Sequence, residues 1–170
     1  MALSTYTVQA QQIPFSANRQ ILSLFNPAGS GKIIKVYQVR LENNQSTAVT
    51  GVTTLIQLIR ITTASGGVSR TPQALDTAGT GLGTITAGTG MTVTETDVHR
   101  IIAWSSDEPT VVAATIDELQ TLQNFNAVWD CAFNDSNCEP IVCREGFGIT
   151  VKNITSTVGF VDCVIKFTVE

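Results

Sequence analysis

The chain has 170 residues and a mass of 18.1 kDa, one domain's worth, enough to bury about 70% of its unfolded surface without disulfide or metal staples. Hydrophobic residues make up 43% and charged ones only 14%, against about 25% charged in an ordinary soluble domain, which excludes a disordered or heavily solvated protein. A net charge of −4 gives no electrostatic reason to expect nucleic acid as a partner, and no apolar run approaches the ~20 residues of a helical membrane span.

Thr (24), Val (17) and Ile (15) supply about a third of the chain. Their β-branched side chains lose rotamer freedom in helices and fit pleated sheets, so the composition predicts a mostly β protein. The charge is uneven. Residues 1–70 carry six basic groups against Glu42 alone, +5, and residues 71–170 carry four basic and thirteen acidic groups, −9. In one fold these halves can interleave and cancel; in an oligomer they can form complementary faces. The N-terminus lacks the basic and apolar regions of a secretory signal, so the polypeptide is expected in the cytoplasm where it is made, with its four cysteines reduced.

Residues 1–18 are polar with scattered apolar groups and read as an N-terminal arm or an edge strand. Residues 21–25 form an apolar strand, ended by the turn-rich Asn26-Pro27-Ala28-Gly29-Ser30-Gly31. Residues 32–43 follow as a strand in which Ile33, Tyr37, Val39 and Leu41 share one parity. Two strands around a short glycine-rich loop predict a hairpin. Residues 53–63 form another strand, with Leu55, Ile59 and Ile61 on one face and Arg60 on the other. The stretch 64–90 then holds seven of the thirteen glycines and only two charged residues, Arg70 and Asp76. It is expected to project as a long Gly-rich excursion with a short strand or two, ordered mainly by neighbouring molecules.

Strand character resumes over 99–104 and 110–114. Thr115 stands three residues before Glu118, a capping box, and Ile116, Leu119 and Leu122 recur at helical spacing, which predicts one short helix near 116–123. Residues 126–133, 140–144 and 147–154 are further short strands. The last strand alternates most clearly: Val161, Cys163, Ile165, Phe167 and Val169 on the apolar face, Asp162, Lys166 and Thr168 opposite. The whole reads as all-β, a single β-sandwich domain over residues 1–170, jelly-roll-like.

The chemistry-bearing residue types do not assemble into a site. The 26–33 loop resembles a phosphate-binding loop, yet Asn26 and Ile33 stand where Gly and Ser or Thr are required, and a strand follows instead of a helix. His99 is the sole histidine, and adjacent Arg100 disfavours the imidazolium that a general base must become. Cys131, Cys138, Cys143 and Cys163 lack zinc-knuckle spacing. Cys163 reads as a small core hydrophobe, while Cys131 and Cys138 flank a turn across which a disulfide could form after release from the cell; whether Cys131, Cys138 and Cys143 take part in one stays open. The pairs Glu95/Asp97, Asp107/Glu108 and Asp117/Glu118 lack a calcium-loop order and read as solvated turns or a helix start. Asn134-Asp135-Ser136 and Asn153-Ile154-Thr155 match the glycosylation sequon, without consequence in a protein that is not secreted. No catalytic, cofactor-binding or metal-binding residue is therefore assigned, and the chain is read as not an enzyme.

Three segments carry a family resemblance: Phe25-Asn26-Pro27-Ala28-Gly29-Ser30-Gly31-Lys32; Asp117-Glu118-Leu119 with Trp129-Asp130; and Glu139-Pro140-Ile141-Val142-Cys143-Arg144-Glu145-Gly146-Phe147-Gly148. Across most of residues 20–169 the chain resembles the small accessory head proteins of tailed bacteriophages, the decoration or cement proteins of the capsid. That resemblance implies a β-rich sandwich, a homotrimer at three-fold positions on the outer capsid surface, the major capsid protein as partner, and no catalytic residues. The low charge over a surface of about 8,000 Å² also calls for a covering partner. Other readings share the composition: a neck, tail or head-fibre protein of the same virion, a carbohydrate-binding jelly-roll module using Trp104 or Trp129, or a small hydrolase built around His99.

Overall fold

The computed structural model describes residues 4–43, 52–77, 79, 81–106, 125–131 and 139–170. Among the described residues every regular element is a strand: β1 (Ser4–Pro14), β2 (Arg19–Asn26), β3 (Ile34–Asn43), β4 (Val52–Ser65), β5 (Val68–Ser69), β6 (Gln73–Ala74), β7 (Thr86–Thr89), β8 (Thr92–Ser106), β9 (Phe125–Asp130), β10 (Ile141–Cys143), β11 (Phe147–Asn153) and β12 (Phe160–Val169). The helix expected near 116–123 and the strand expected over 110–114 lie outside the described residues.

The strands form two six-stranded sheets with antiparallel pairing throughout. The first runs β10-β3-β12-β1-β6, with β9 also on the outer side of β3; the second runs β5-β7-β2-β11-β4-β8. Their facing sides make one core, a β-sandwich. From the first sheet come Val161, Cys163, Ile165, Phe167 and Val169 of β12, all buried as their alternation predicts. Leu22, Leu24, Ile56, Leu58, Ile149 and Val151 meet them from the second. Trp104 is fully buried against Phe15, with ring centroids 5.2 Å apart.

The chain repeatedly changes sheet. Strands β1, β3, β9, β10 and β12 belong to the first, while β2, β4, β8 and β11 belong to the second. The hairpin expected across the 26–33 loop is therefore an arch between sheets. A buried asparagine closes each end of the β2–β11 pair. At one end Asn26 donates from Nδ2 to the carbonyls of Lys32 (2.8 Å) and Cys143 (3.2 Å). At the other, Asn153 donates to the carbonyls of Ser16 (2.8 Å) and Thr155 (2.6 Å) and accepts from the Thr54 hydroxyl. Buried amide donors need acceptors, and both Nδ2 groups find theirs in carbonyls of the crossing chain, although Asn26 Oδ1 is left without a partner.

Bulges correct the expected faces. Lys166 pairs with Gln38 and Phe167 with Val36, so Tyr37 is an extra residue and β3 changes face there. Ile34 and Val36 before the bulge, and Val39 and Leu41 after it, all reach the core. On β4, Leu55, Ile59 and Ile61 share a parity but not an environment: Leu55 is exposed, while Ile59 and Ile61 are buried on the side of the strand opposite Ile56 and Leu58, which join the inter-sheet core. The reading of residues 1–18 as an arm gives way to its strand alternative. Strand β1 pairs with β12 along its length, while β6 covers only Tyr6 and Thr7 on the other side. Its bulge between Ala10 and Ile13 is held by Asp162, whose Oδ1 accepts the Gln12 amide at 2.6 Å. The glycine-rich stretch is also corrected: β5 pairs β7, β7 pairs β2 and β6 pairs β1, so its own chain's sheets order it.

Candidate functional site

The loop that resembles a phosphate cradle is a cradle already filled. Gly29 (φ 79°) and Gly31 (φ 66°) adopt left-handed backbone, and their amides converge on one anion. That anion is Glu145, whose Oε2 takes Gly29 N at 2.9 Å and whose Oε1 takes Gly31 N at 2.8 Å. Lys32 turns away and donates from Nζ to Gly81 O at 3.0 Å.

His99 lies at the bulge where Leu58 pairs with Arg100 and Ile59 with Val98. Its Nε2 is buried and meets no hydrogen-bond partner. Burial pushes the imidazole below its ordinary value of 6.5, and the Arg60 charge pushes it the same way, with Asp97 opposing. The charge acting on it is Arg60, where the sequence had pointed to Arg100. No serine or cysteine is joined to it by a hydrogen bond among the described residues.

Cys143 and Cys163 are free and buried. Burial raises both thiols, that of Cys143 to about 11, so neither is a nucleophile at neutral pH. Cys131 is disulfide-bonded, which takes the disulfide alternative left open for it over the reduced state expected at synthesis; Cys138 lies outside the described residues. The sequon asparagine Asn153 is fully buried with its amide committed, and Asn134-Asp135-Ser136 lies outside the described residues. Both tryptophans pack in or against the core, leaving neither as an open stacking platform for sugar. Asp107, Glu108, Asp117 and Glu118 lie outside the described residues, within which no group of three or more His, Cys, Asp or Glu side chains converges as a metal site.

A polar chain crosses the outer side of the second sheet. Lys152 Nζ bonds both Glu95 oxygens, at 2.8 and 3.0 Å. Gln20 Nε2 donates to Glu95 Oε1 at 2.8 Å. The carboxylate only accepts, so it fixes the Gln20 amide with Oε1 toward Thr150, whose hydroxyl donates at 2.9 Å. Thr150 has then used its one proton, and Ser23 Oγ must donate to it across 2.8 Å. Ser23 and Thr150 are fully buried. The chain thus ties β8 to β2 and β11 and offers no reactive hydroxyl.

What remains outward is a strip along β4 and β8. Ile56 pairs with Ile102 and Thr54 with Trp104 on the core side, which turns Leu55, Ile101 and Ala103 outward. Beyond the His99 bulge Val98 joins them. Leu55, Val98 and Ile101 are 41%, 48% and 57% exposed. Strand β8 is also the last strand of its sheet, and among the described residues only β4 pairs with it. Fifteen residues of edge beside exposed apolar groups are a surface suited to association. The two oppositely charged halves of the chain do not form separate faces. They interleave strand by strand, with ion pairs such as Lys35–Glu170 and Arg40–Asp130 joining them.

Compared with family models, curated proteins and solved structures, the chain matches none.

Proposed function

We propose that this chain is a structural binding protein that decorates and stabilises an assembled phage head. In this reading the sandwich is of the jelly-roll kind, and a homotrimer sits on the outer capsid surface against the major capsid protein, after synthesis in the host cytoplasm. The observation that carries it is the edge of β8, unpaired among the described residues on the side away from β4, beside Leu55, Val98 and Ile101, together with the resemblance of the sequence to head accessory proteins. An edge strand with apolar flanks gains most by pairing with another chain. Several copies bound to one lattice make individually weak contacts act together. A protein that binds only the expanded shell shifts the shell toward that state by mass action, so stabilisation needs no chemistry.

The interleaving of the charged halves removes the simplest electrostatic docking scheme, a positive half against a negative one. Shape and apolar contact at the β4–β8 strip take its place. A neck, tail or head-fibre position in the same virion would use the same surface against a different neighbour. Deleting the gene tests the reading. Particles should assemble but open at lower temperature, and added purified protein should restore resistance. Particles that withstand heating as well as complete ones would remove the cement reading and favour the fibre position.

A further inference from the structure

On the outer side of the first sheet, Thr7, Gln9 and Gln11 of β1 face residues 70–73 across a cleft of about 300 Å³. Arg70, Thr71 and Gln73 form the opposite wall. Strand β6 fixes that wall, since Gln73 pairs with Thr7, and the Arg70 amide is held by Ala87 O at 2.8 Å. Among the described residues no acidic and no aromatic side chain lines the cleft.

Arg70 is the one charged side chain among the described residues of the cleft, and it is idle. Its side chain makes no ion pair or hydrogen bond, and its Nε is buried without an acceptor. A guanidinium so placed lacks the planar two-oxygen acceptor that matches it. Lys166, opposite Thr7 on β12, also carries no ion pair and adds to the positive potential. The other groups are neutral. Gln73 spends one amide proton on Thr71 O at 3.2 Å, while its carbonyl and the side chains of Gln9, Gln11, Thr7 and Thr71 present donors and acceptors suited to hydroxyls.

We propose that this cleft binds a single acidic sugar residue, with the carboxylate on Arg70 and the ring hydroxyls on Gln9, Gln11 and Gln73. One lining cation surrounded by five neutral hydrogen-bonding side chains fits a monoanion rich in hydroxyls better than a phosphate. A phosphate calls for several cations or a nest of backbone amides, and the nest at Gly29 and Gly31 already holds Glu145. The volume lies at the small end of ligand pockets and suits one ring. The missing aromatic platform is consistent with recognition through charge and hydrogen bonds. This goes beyond the head-stabilising role and does not depend on it.

The test is an NMR titration of the free protein with glucuronate, N-acetylneuraminate, glucose and inorganic sulfate. At least one of the two acidic sugars should shift the side-chain amides of Gln9, Gln11 and Gln73 and the Arg70 Nε–H, with a Kd of about 1–10 mM. Glucose, which lacks the carboxylate, should leave them unmoved. Arg70→Gln should weaken binding at least about tenfold, and Gln9→Ala, at an exposed position that keeps the fold, about threefold to tenfold. Three results would overturn the proposal: no shifts with either acidic sugar at about 50 mM, glucose binding as well as glucuronate, or sulfate matching the acidic sugars with no effect of Gln9→Ala. The last would leave an anion site without sugar recognition. All arms use free protein, so their failure leaves the head-binding reading standing.

Discussion

Truncating Phe167 probes the sandwich at its centre. The ring is fully buried on β12. It stands opposite Tyr6 of β1 and Val36 of β3, and its ring stacks on Tyr6 with centroids 5.6 Å apart and planes at 23°. Phe167→Ala removes the ring and leaves a cavity that three hydrogen-bonded strands cannot readily collapse, a cost of about 3–5 kcal/mol. Of that, the aromatic pair accounts for about 0.5–1.5 kcal/mol. A domain of this size is stable by about 5–15 kcal/mol, so the midpoint should fall by roughly 6–20 °C. Urea melts give the loss directly, with an unchanged m-value. A double-mutant cycle with Tyr6→Ala isolates the ring pair, and Leu55→Ala on the β4–β8 strip should change stability by only about 0.5 kcal/mol. A loss below about 1 kcal/mol for Phe167→Ala would mean that the register of β12 is wrong by one, with Lys166 and Thr168 inside.

Other outcomes follow from single contacts. Glu145→Ala should empty the amide cradle at Gly29 and Gly31, speeding hydrogen exchange at both amides while global stability falls only modestly; unchanged exchange would mean that the carboxylate does not hold the loop. His99 has its pKa lowered in the fold, so the unfolded chain binds the proton more readily, and stability should fall as pH drops below about 6.5. His99→Gln should flatten that part of the profile, and a slope equal to that of the parent would show that His99 titrates unperturbed. Thiol titration without reductant should find slow reaction at Cys143 and Cys163 in the folded protein and two reactive thiols per chain in urea; four would mean that Cys131 is unpaired.

Much of the fold is legible because period-two alternation is a local signal. Strand β12 alternates cleanly and sits where Val161, Cys163, Ile165, Phe167 and Val169 say it should. Strand pairing is less legible, because a glycine-rich loop has the same composition whether it turns within a sheet or crosses between two. Asn26 decides the matter in three dimensions, through a bond to Cys143 O that spans 117 positions. Bulges defeat parity in the same way: the extra residue at Tyr37 exists only because β12 runs beside β3. Asp162, assigned to the wet face, is buried holding a bulge amide 150 positions away. Glu145, 116 and 114 positions from the amides it bonds, explains why a loop so like a phosphate cradle needs no phosphate. The cleft at Arg70 joins β1 to residues 70–73 of the glycine-rich stretch, and no spacing rule links Gln9 to Gln73.

In the proposed function, the β8 edge is the surface that would meet the shell. The most direct measurement mixes purified protein with emptied heads lacking it, pelletes the heads, and follows hydrogen exchange over Thr92–Ser106 in the bound fraction. Saturable co-sedimentation is predicted, with exchange slowed along β8 and unchanged along β12, which is already central in its sheet. Protein that stays in the supernatant, or that binds with β8 exchanging as freely as before, would contradict the account.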